Sequence, residues 1–201
     1  VARVGPSVIV TCRPDLSDSA GLIRPLIPVS HEQSFRFVSL RARGLFGMTI
    51  ADIVAPERVR RVPDVQSKKR ALEQLAEILA EGTPYLTAAD VFNGLIGREK
   101  LGSTAVGDGV ALPHARMKGT DDCIGAFIRL PQGVDFQASD NMPVDLIFGM
   151  LVPEAATDEH LKLLRALAEL FSDEAVVIEL RDADDDAALY RTLLANDVVV
   201  G

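Results

Sequence analysis

Residues 110–152 read VALPHARMKGTDDCIGAFIRLPQGVDFQASDNMPVDLIFGMLV, and three apolar runs stand out in them: Val110 to Leu112, Ile124 to Leu130 and Val144 to Val152. Each is bounded by Pro, Gly, Asn or Asp, the residues that punctuate strands, so all three are predicted strands. On either side the apolar spacing turns helical. Upstream, Leu72, Leu75, Ala76 and Leu79 fall on one helix face, with Ser67 placed to cap its start and Gly82 just past its end. A second helix begins at Thr87 as its cap and carries Val91, Phe92, Leu95 and Ile96 inward until Gly97 and Gly102 weaken the pattern. Downstream, helical spacing returns at Thr157 with Leu161, Leu164, Ala168 and Phe171, followed by shorter helices from about Asp173 to Arg181 and Asp185 to Leu194. Helices flanking a central run of strands, without strict alternation, predict an α/β fold: a mixed β-sheet sandwiched between helices.

The chain has 201 residues, 29 acidic against 21 basic, a formal charge of −8 and 48% apolar residues. At that length one core buries roughly 70% of the unfolded chain's surface, enough to fold without a metal or disulfide staple. Cys12 and Cys123 are too few and too far apart for a disulfide framework or a CxxC metal knuckle, which fits a reducing, cytoplasmic compartment. No apolar run approaches the ~20 residues of a membrane helix, and the net acidity argues against a nucleic-acid groove as the main surface. Charge is uneven, however: residues 1–47 hold six Arg, no Lys and three acids, so residues 48–201 carry −11. Pro6, Pro14, Pro25 and Pro28 interrupt this preface, which reads as an irregular N-terminal extension. Its longest aliphatic run, Val8 to Val10, is too short for a secretory signal; it is Arg-bearing and acid-poor like a transit peptide but shows no clear amphipathic helix. Met48 precedes Thr49-Ile50-Ala51-Asp52-Ile53-Val54, where regular patterning begins, so a start-site extension is a second explanation for everything before it. The domain proper is taken as residues 48–201.

Several motifs fail on inspection. Gly102 to Gly107 has the GxxxxG opening of a phosphate loop, yet Asp108 stands where the phosphate-reaching Lys belongs and would repel phosphates. Gly107-Asp108-Gly109 begins a dinucleotide fingerprint, but Leu112 occupies its third glycine position. Asp182, Asp184 and Asp186 match three calcium-loop ligands, but Ala187 replaces the required Gly, so the cluster reads as a solvated helix start. His31, His114 and His160 have no metal-ligand spacing, and no GxSxG elbow is present. The reading needs no cofactor and no metal.

What remains is REKLGSTAVGDGVALPHAR, residues 98–116, which sets a single imidazole after a short apolar strand. Pro113 fixes its own φ and biases Leu112 toward an extended conformation, giving the next side chain a defined direction. Glycines 102, 107 and 109 allow close backbone approach and leave N–H groups free to face an anion. A neutral imidazole nitrogen is a competent nucleophile near neutral pH, the requirement of a phosphoryl acceptor. Phosphoryl transfer asks the protein chiefly for positioning and for stabilisation of charge on three equatorial oxygens. Arg98 offers a planar fork of donors for that purpose, and Arg116 is a nearer candidate. Ser103 and Thr104 are further candidate phosphate contacts. His160, in the first turn of the Thr157 helix, can donate one N–H to a phosphate or orient the His114 ring. Taken singly, each of these residues also fits a structural or merely solvated role; the reading rests on their combination.

The segments VQSKKRALEQLAEIL, GREKLGSTAVGDGVALPHAR and DNMPVDLIFGMLVPEAATDEHLKLLRALAELF resemble the fructose/mannitol-type enzyme IIA domains of the bacterial phosphotransferase system, most closely the nitrogen-regulatory branch. With Met48-Thr49-Ile50 the resemblance covers about residues 48–195, leaving only the preface outside. It implies a mixed α/β sandwich in which His114 is phosphorylated on Nε2 by an HPr-like carrier whose own phosphohistidine is the donor. Residue by residue, His114 matches the phosphoacceptor, Arg98 the phosphate-contacting arginine and His160 the second active-site histidine, while the role of Arg116 stays open.

Two routes divide the family. Sugar-transporting relatives pass the phosphoryl group to a IIB domain and onward to sugar, and are often fused to those partners; this chain ends at Gly201 without them. With its SKKRAL segment it looks more like the nitrogen branch, in which phosphorylation state regulates other proteins, among them potassium-transport and sensor-kinase components. A sugar-specific IIA working with a separate IIB protein is the alternative. From other classes come a docking module without transfer chemistry, and a hydrolase using Ser103 or Cys123, which lacks a triad spacing.

Overall fold

The structure, a computed structural model, describes residues 48–155 and 159–197; the extension expected over 1–47, the Thr157 cap and residues 198–201 lie outside the described residues. In chain order the elements are α1 (Ile50–Ile53), β1 (Val54–Arg61), α2 (Lys68–Ala80), α3 (Ala88–Glu99), β2 (Ala105–Gly107), β3 (Val110–Ala111), β4 (His114–Met117), β5 (Ile124–Val134), β6 (Val144–Pro153), α4 (Glu159–Leu170), α5 (Glu174–Asp182) and α6 (Asp186–Ala195).

Local chemistry accounts for the first helices. The Ser67 side chain accepts from the Arg70 amide to open α2, and a reciprocal Thr87/Asp90 capping box opens α3. The six strands form one mixed sheet in the order β1-β5-β6-β3-β2, with β4 also on β6. β5 and β6 pair antiparallel, whereas β3 and β4 lie one after the other along the same edge of β6, both parallel to it. Leu112 and Pro113 separate them.

The sheet is covered on both faces, as expected. Along β6, Leu146, Phe148, Met150 and Val152 join a core with α4, α5 and α6, while Ile147 and Leu151 face a second core with α2 and α3. Period-two side-chain alternation divides a continuous apolar run between two layers. Phe127, Phe148 and Phe171 cluster on the first face with ring centroids 6.1–6.4 Å apart, fastening the end of α4 to the sheet. On the second face Leu75 lies over Gly149, where an added Cβ would stand 2.5 Å from Leu75 Cδ2. Leu75 is wholly buried and has no room to yield. Gly149→Val is expected to lower stability by about 1–3 kcal/mol; an unchanged midpoint in urea denaturation would contradict this packing.

Three features differ from the sequence reading. β1 carries Pro56, Glu57, Arg58, Arg60 and Arg61, and only Val54 and Val59 reach the core, because an edge strand needs few apolar residues and is protected by charge. The strand after Pro113 was not anticipated, and His114 opens β4 rather than ending the short Val110–Leu112 strand. In α4, Leu161 is exposed; Phe171 is buried and Leu164 and Ala168 pack against the core as expected, but the centre of the buried face passes through Leu163, Leu167 and Leu170.

Candidate functional site

His114 and Arg116 are two residues apart on β4 and so share a face, whereas Ala115 and Met117 lie over Gly94 of α3 on the other. The His114 side toward α4 brings it near His160. Arg98 comes from the last turn of α3, in the opposite layer, and meets His114 beside the β3–β4 edge.

The ring of His114 is half-buried. Its Nδ1 lies 2.9 Å from the Leu112 carbonyl oxygen. A carbonyl can only accept, so Nδ1 carries the ring proton and Nε2 keeps its lone pair. Toward that lone pair Arg98 donates Nε–H at 3.1 Å, and its Nη1 donates to the Gly102 carbonyl at 3.0 Å. Burial lowers the proton affinity of His114; the Leu112 hydrogen bond opposes this, while the charges of Arg98 and His160 reinforce it. The charged form is therefore disfavoured in the folded protein. In a ¹H–¹⁵N titration of the ring, His114 is expected to stay neutral as pH falls past ~6.5, the ordinary imidazole value, and to take its proton only below it. A midpoint at or above that value would contradict the arrangement.

The second pair adjoins the first. Arg116 Nη2 lies 2.8 Å from Nε2 of buried His160. A guanidinium only donates, so this nitrogen accepts and a neutral His160 ring carries its proton on Nδ1. The four residues singled out in the sequence thus form two contacting pairs, Arg98–His114 and Arg116–His160.

Ser103 and Thr104 are placed differently. Ser103 Oγ donates to the Phe136 carbonyl at 2.7 Å, and Thr104 Oγ1 donates to the Glu99 carboxylate at 2.5 Å, so both hydroxyl hydrogens are already engaged inside the protein. The glycine-rich turn also uses its amides internally. Asp108 and Gly109, with φ of 52° and 76°, form the two-residue turn of the β2–β3 hairpin. The Asp108 amide donates to the Asp140 carboxylate at 2.9 Å and the Gly102 amide to the Glu99 carbonyl at 3.2 Å.

Two residues of the site's support were not singled out from the sequence: Glu99 and Lys68, whose side chains meet at 2.6 Å with Glu99 almost fully buried. A signal was present, since Glu99 continues the buried Val91–Leu95 stripe of α3 and Lys68 precedes Leu72 by one turn of α2.

Chemically, the arrangement offers a neutral, partly accessible nitrogen nucleophile flanked by two guanidinium groups and a second imidazole. It suits attack on an electrophile bearing several negatively charged oxygens.

Comparison with known proteins follows the same direction. Residues 52–196 match the family described as phosphoenolpyruvate-dependent sugar phosphotransferase system, EIIA 2. The chain is 48% identical over 128 residues to a nitrogen regulatory protein of Pseudomonas aeruginosa, covering 64% of this chain and 83% of that protein. It is 44% identical over 146 residues to one of Bradyrhizobium diazoefficiens, covering 73% and 95%. Among solved structures, nitrogen regulatory protein IIA-Ntr from Neisseria meningitidis superposes with a TM-score of 0.67 at 41% identity, covering 72% of this chain and 98% of that one.

Proposed function

We propose, from the premise that this chain belongs to the EIIA 2 family of the phosphoenolpyruvate-dependent sugar phosphotransferase system, that it is a phosphohistidine carrier of the nitrogen-regulatory branch. Its acceptor is His114 and its donor a phosphorylated HPr-like protein. The observation that carries the reading is the ring's tautomer: with Nδ1–H held on the Leu112 carbonyl, the Nε2 lone pair is the one available for attack. As Nε2 bonds to phosphorus, the phosphorus–nitrogen bond on the carrier breaks and the carrier's ring leaves with that electron pair. Arg98 turns its fork from the lone pair to the phosphoryl oxygens, and Arg116 and His160 complete the rim. Ser103 and Thr104 contribute by shaping the loop beside the phosphoryl group.

Next in sequence to Gly102 and to His160, two large apolar side chains are exposed, Leu101 (85%) and Leu161 (54%). They supply docking area for the HPr-like carrier, with the arginines giving complementary charge. Phosphorylation then places roughly −1.5 to −2 charges at the centre of the same surface, which changes partner preference without refolding. The regulated proteins of the nitrogen branch, potassium-transport or sensor-kinase components, read that difference in the cytoplasm.

The test is incubation of the full chain with a ³²P-phosphorylated HPr-like protein. Acid-labile, base-stable phosphate mapping to His114 is the expected result, and phosphate absent or carried elsewhere overturns the reading. Rapid onward transfer to a sugar IIB protein would assign the chain to the sugar route instead.

A further inference from the structure

The carboxylate of Glu99 is the most deeply buried charge beside the site, its side chain only 2% exposed. It is held from three sides. Lys68 Nζ pairs with Oε1 at 2.6 Å, Thr104 Oγ1 donates to Oε2 at 2.5 Å, and the Thr104 amide lies 3.2 Å from each oxygen. Lys68 is itself tied to the Phe136 carbonyl at 3.0 Å, the same oxygen that accepts from Ser103. Burying a carboxylate this far is costly unless every lone pair is used, and here the partners are drawn from α2 and from the loop after α3.

One chain of contacts leads to His114 from that carboxylate by way of Thr104, and a second from the Glu99 main-chain carbonyl. In one, the Leu112 amide donates to the Thr104 carbonyl at 3.0 Å, and the Leu112 carbonyl accepts from His114 Nδ1 at 2.9 Å. In the other, Gly102, whose amide donates to the Glu99 carbonyl at 3.2 Å, offers its own carbonyl to Arg98 Nη1 at 3.0 Å. Both the ring's tautomer and the stance of the guanidinium depend on the position of residues 100–104. That loop is clamped to the protein by Glu99.

We propose that Glu99, with Lys68 as its counter-ion, is a positioning residue. By fixing the Lys100–Thr104 loop it holds the Leu112 carbonyl against Nδ1 of His114 and Arg98 against Nε2, so that the nucleophilic nitrogen is set before a donor arrives. The role in transfer rests on the phosphocarrier reading above, but the role in setting the tautomer does not.

The experiment records long-range ¹H–¹⁵N spectra of the imidazole rings, which report the nitrogen that carries the proton, and single-turnover transfer from a phosphorylated HPr-like protein. Both use the full chain as wild type, Glu99→Gln, Lys68→Met/Glu99→Gln, Thr104→Val and Thr104→Ser. The wild-type His114 ring is expected as the Nδ1–H tautomer alone. Glu99→Gln is expected to give a mixture of tautomers, a transfer rate about 10- to 100-fold lower, and a His114 titration shifted to still lower pH, since the Glu99 charge favours the proton there. The double variant, which leaves no unpaired ammonium, keeps the fold and shows the same ring disorder. Thr104→Val shows a smaller loss in the same direction, and Thr104→Ser, which retains the hydroxyl, restores wild-type behaviour.

Wild-type ring shifts and rate in the folded Glu99 variants overturn the proposal. Should both of those fail to fold, wild-type shifts and rate in Thr104→Val overturn it. If the wild-type chain takes no phosphate on His114, the phosphocarrier reading fails, while the tautomer spectra still decide the role of Glu99.

Discussion

Replacing His114 with alanine is expected to abolish phosphate uptake from a phosphorylated HPr-like carrier and to leave the circular dichroism spectrum unchanged. The ring makes two hydrogen bonds, to the Leu112 carbonyl at 2.9 Å and from Arg98 at 3.1 Å, and belongs to neither apolar core. Its removal therefore costs the fold only about 1 kcal/mol. What is lost is the proposed nucleophile. His160 is not expected to take over, since its ring is buried where that of His114 is partly exposed. Stoichiometric incorporation of phosphate by His114→Ala, measured by phosphate content and peptide mapping, would show that the acceptor lies elsewhere.

Arg98→Ala is expected to slow single-turnover transfer by about 10²- to 10³-fold, the range for removing one preorganised donor to developing negative charge. The guanidinium already touches the nitrogen proposed to receive the phosphoryl group, so it needs only a small rotation to reach the equatorial oxygens. Because Arg98 also disfavours the proton on His114, the comparison belongs at pH ~8, above the ordinary imidazole range, where the His114 ring is neutral with or without Arg98 and the rate difference reports charge stabilisation alone. Arg98→Lys should recover only part of the rate, since an ammonium lacks the fork. An unaltered rate in Arg98→Ala would exclude this role.

How much of this was legible before the structure varies by element. The α2 and α3 helices were read from their caps and apolar stripes because those signals are local: a serine or threonine side chain satisfies an amide three residues on, whatever surrounds it. β5 and β6 were read because both faces are covered and most of their residues are apolar, Arg129 and Asp145 aside; the exposed continuation of β5 through Pro131, Gln132 and Gly133 to Val134 carries no such signal. β1 was missed because its buried positions are only Val54 and Val59, with charged residues and Pro56 between and around them.

The helix α4 shows a subtler limit. Its sequence, EHLKLLRALAEL, has leucines at 161, 163, 164, 167 and 170, which supply apolar stripes in two phases. The sequence reading chose the stripe through Leu161, Leu164, Ala168 and Phe171; packing against the sheet keeps the last three on the core side but centres the buried face on Leu163, Leu167 and Leu170 and leaves Leu161 exposed. His160 lies three residues before Leu163, so the same choice of phase buries its imidazole and turns it toward β4. Ser103 and Thr104 illustrate the converse case. As hydroxyls near a candidate anion site they invite a phosphate role, yet their donors go to the Phe136 carbonyl and to Glu99 because the buried acceptors there have greater need of them.

Residue order alone determined the sandwich, the helices that start on Ser67 and Thr87, and a single imidazole set behind a proline, since each follows from interactions within a few positions or from the period of apolar side chains. Only the tertiary structure decided which nitrogen of that imidazole carries the proton and which keeps its lone pair. The Leu112 carbonyl reaches Nδ1 through the path of the chain around Pro113, held to β6 by the Met150 amide. Arg98 reaches Nε2 from the far layer by way of the loop that Glu99 clamps. A hydrogen-bond acceptor two residues away and a cation sixteen residues away become neighbours of one ring only when the sheet edge brings them there, and no sequence pattern encodes that meeting by itself.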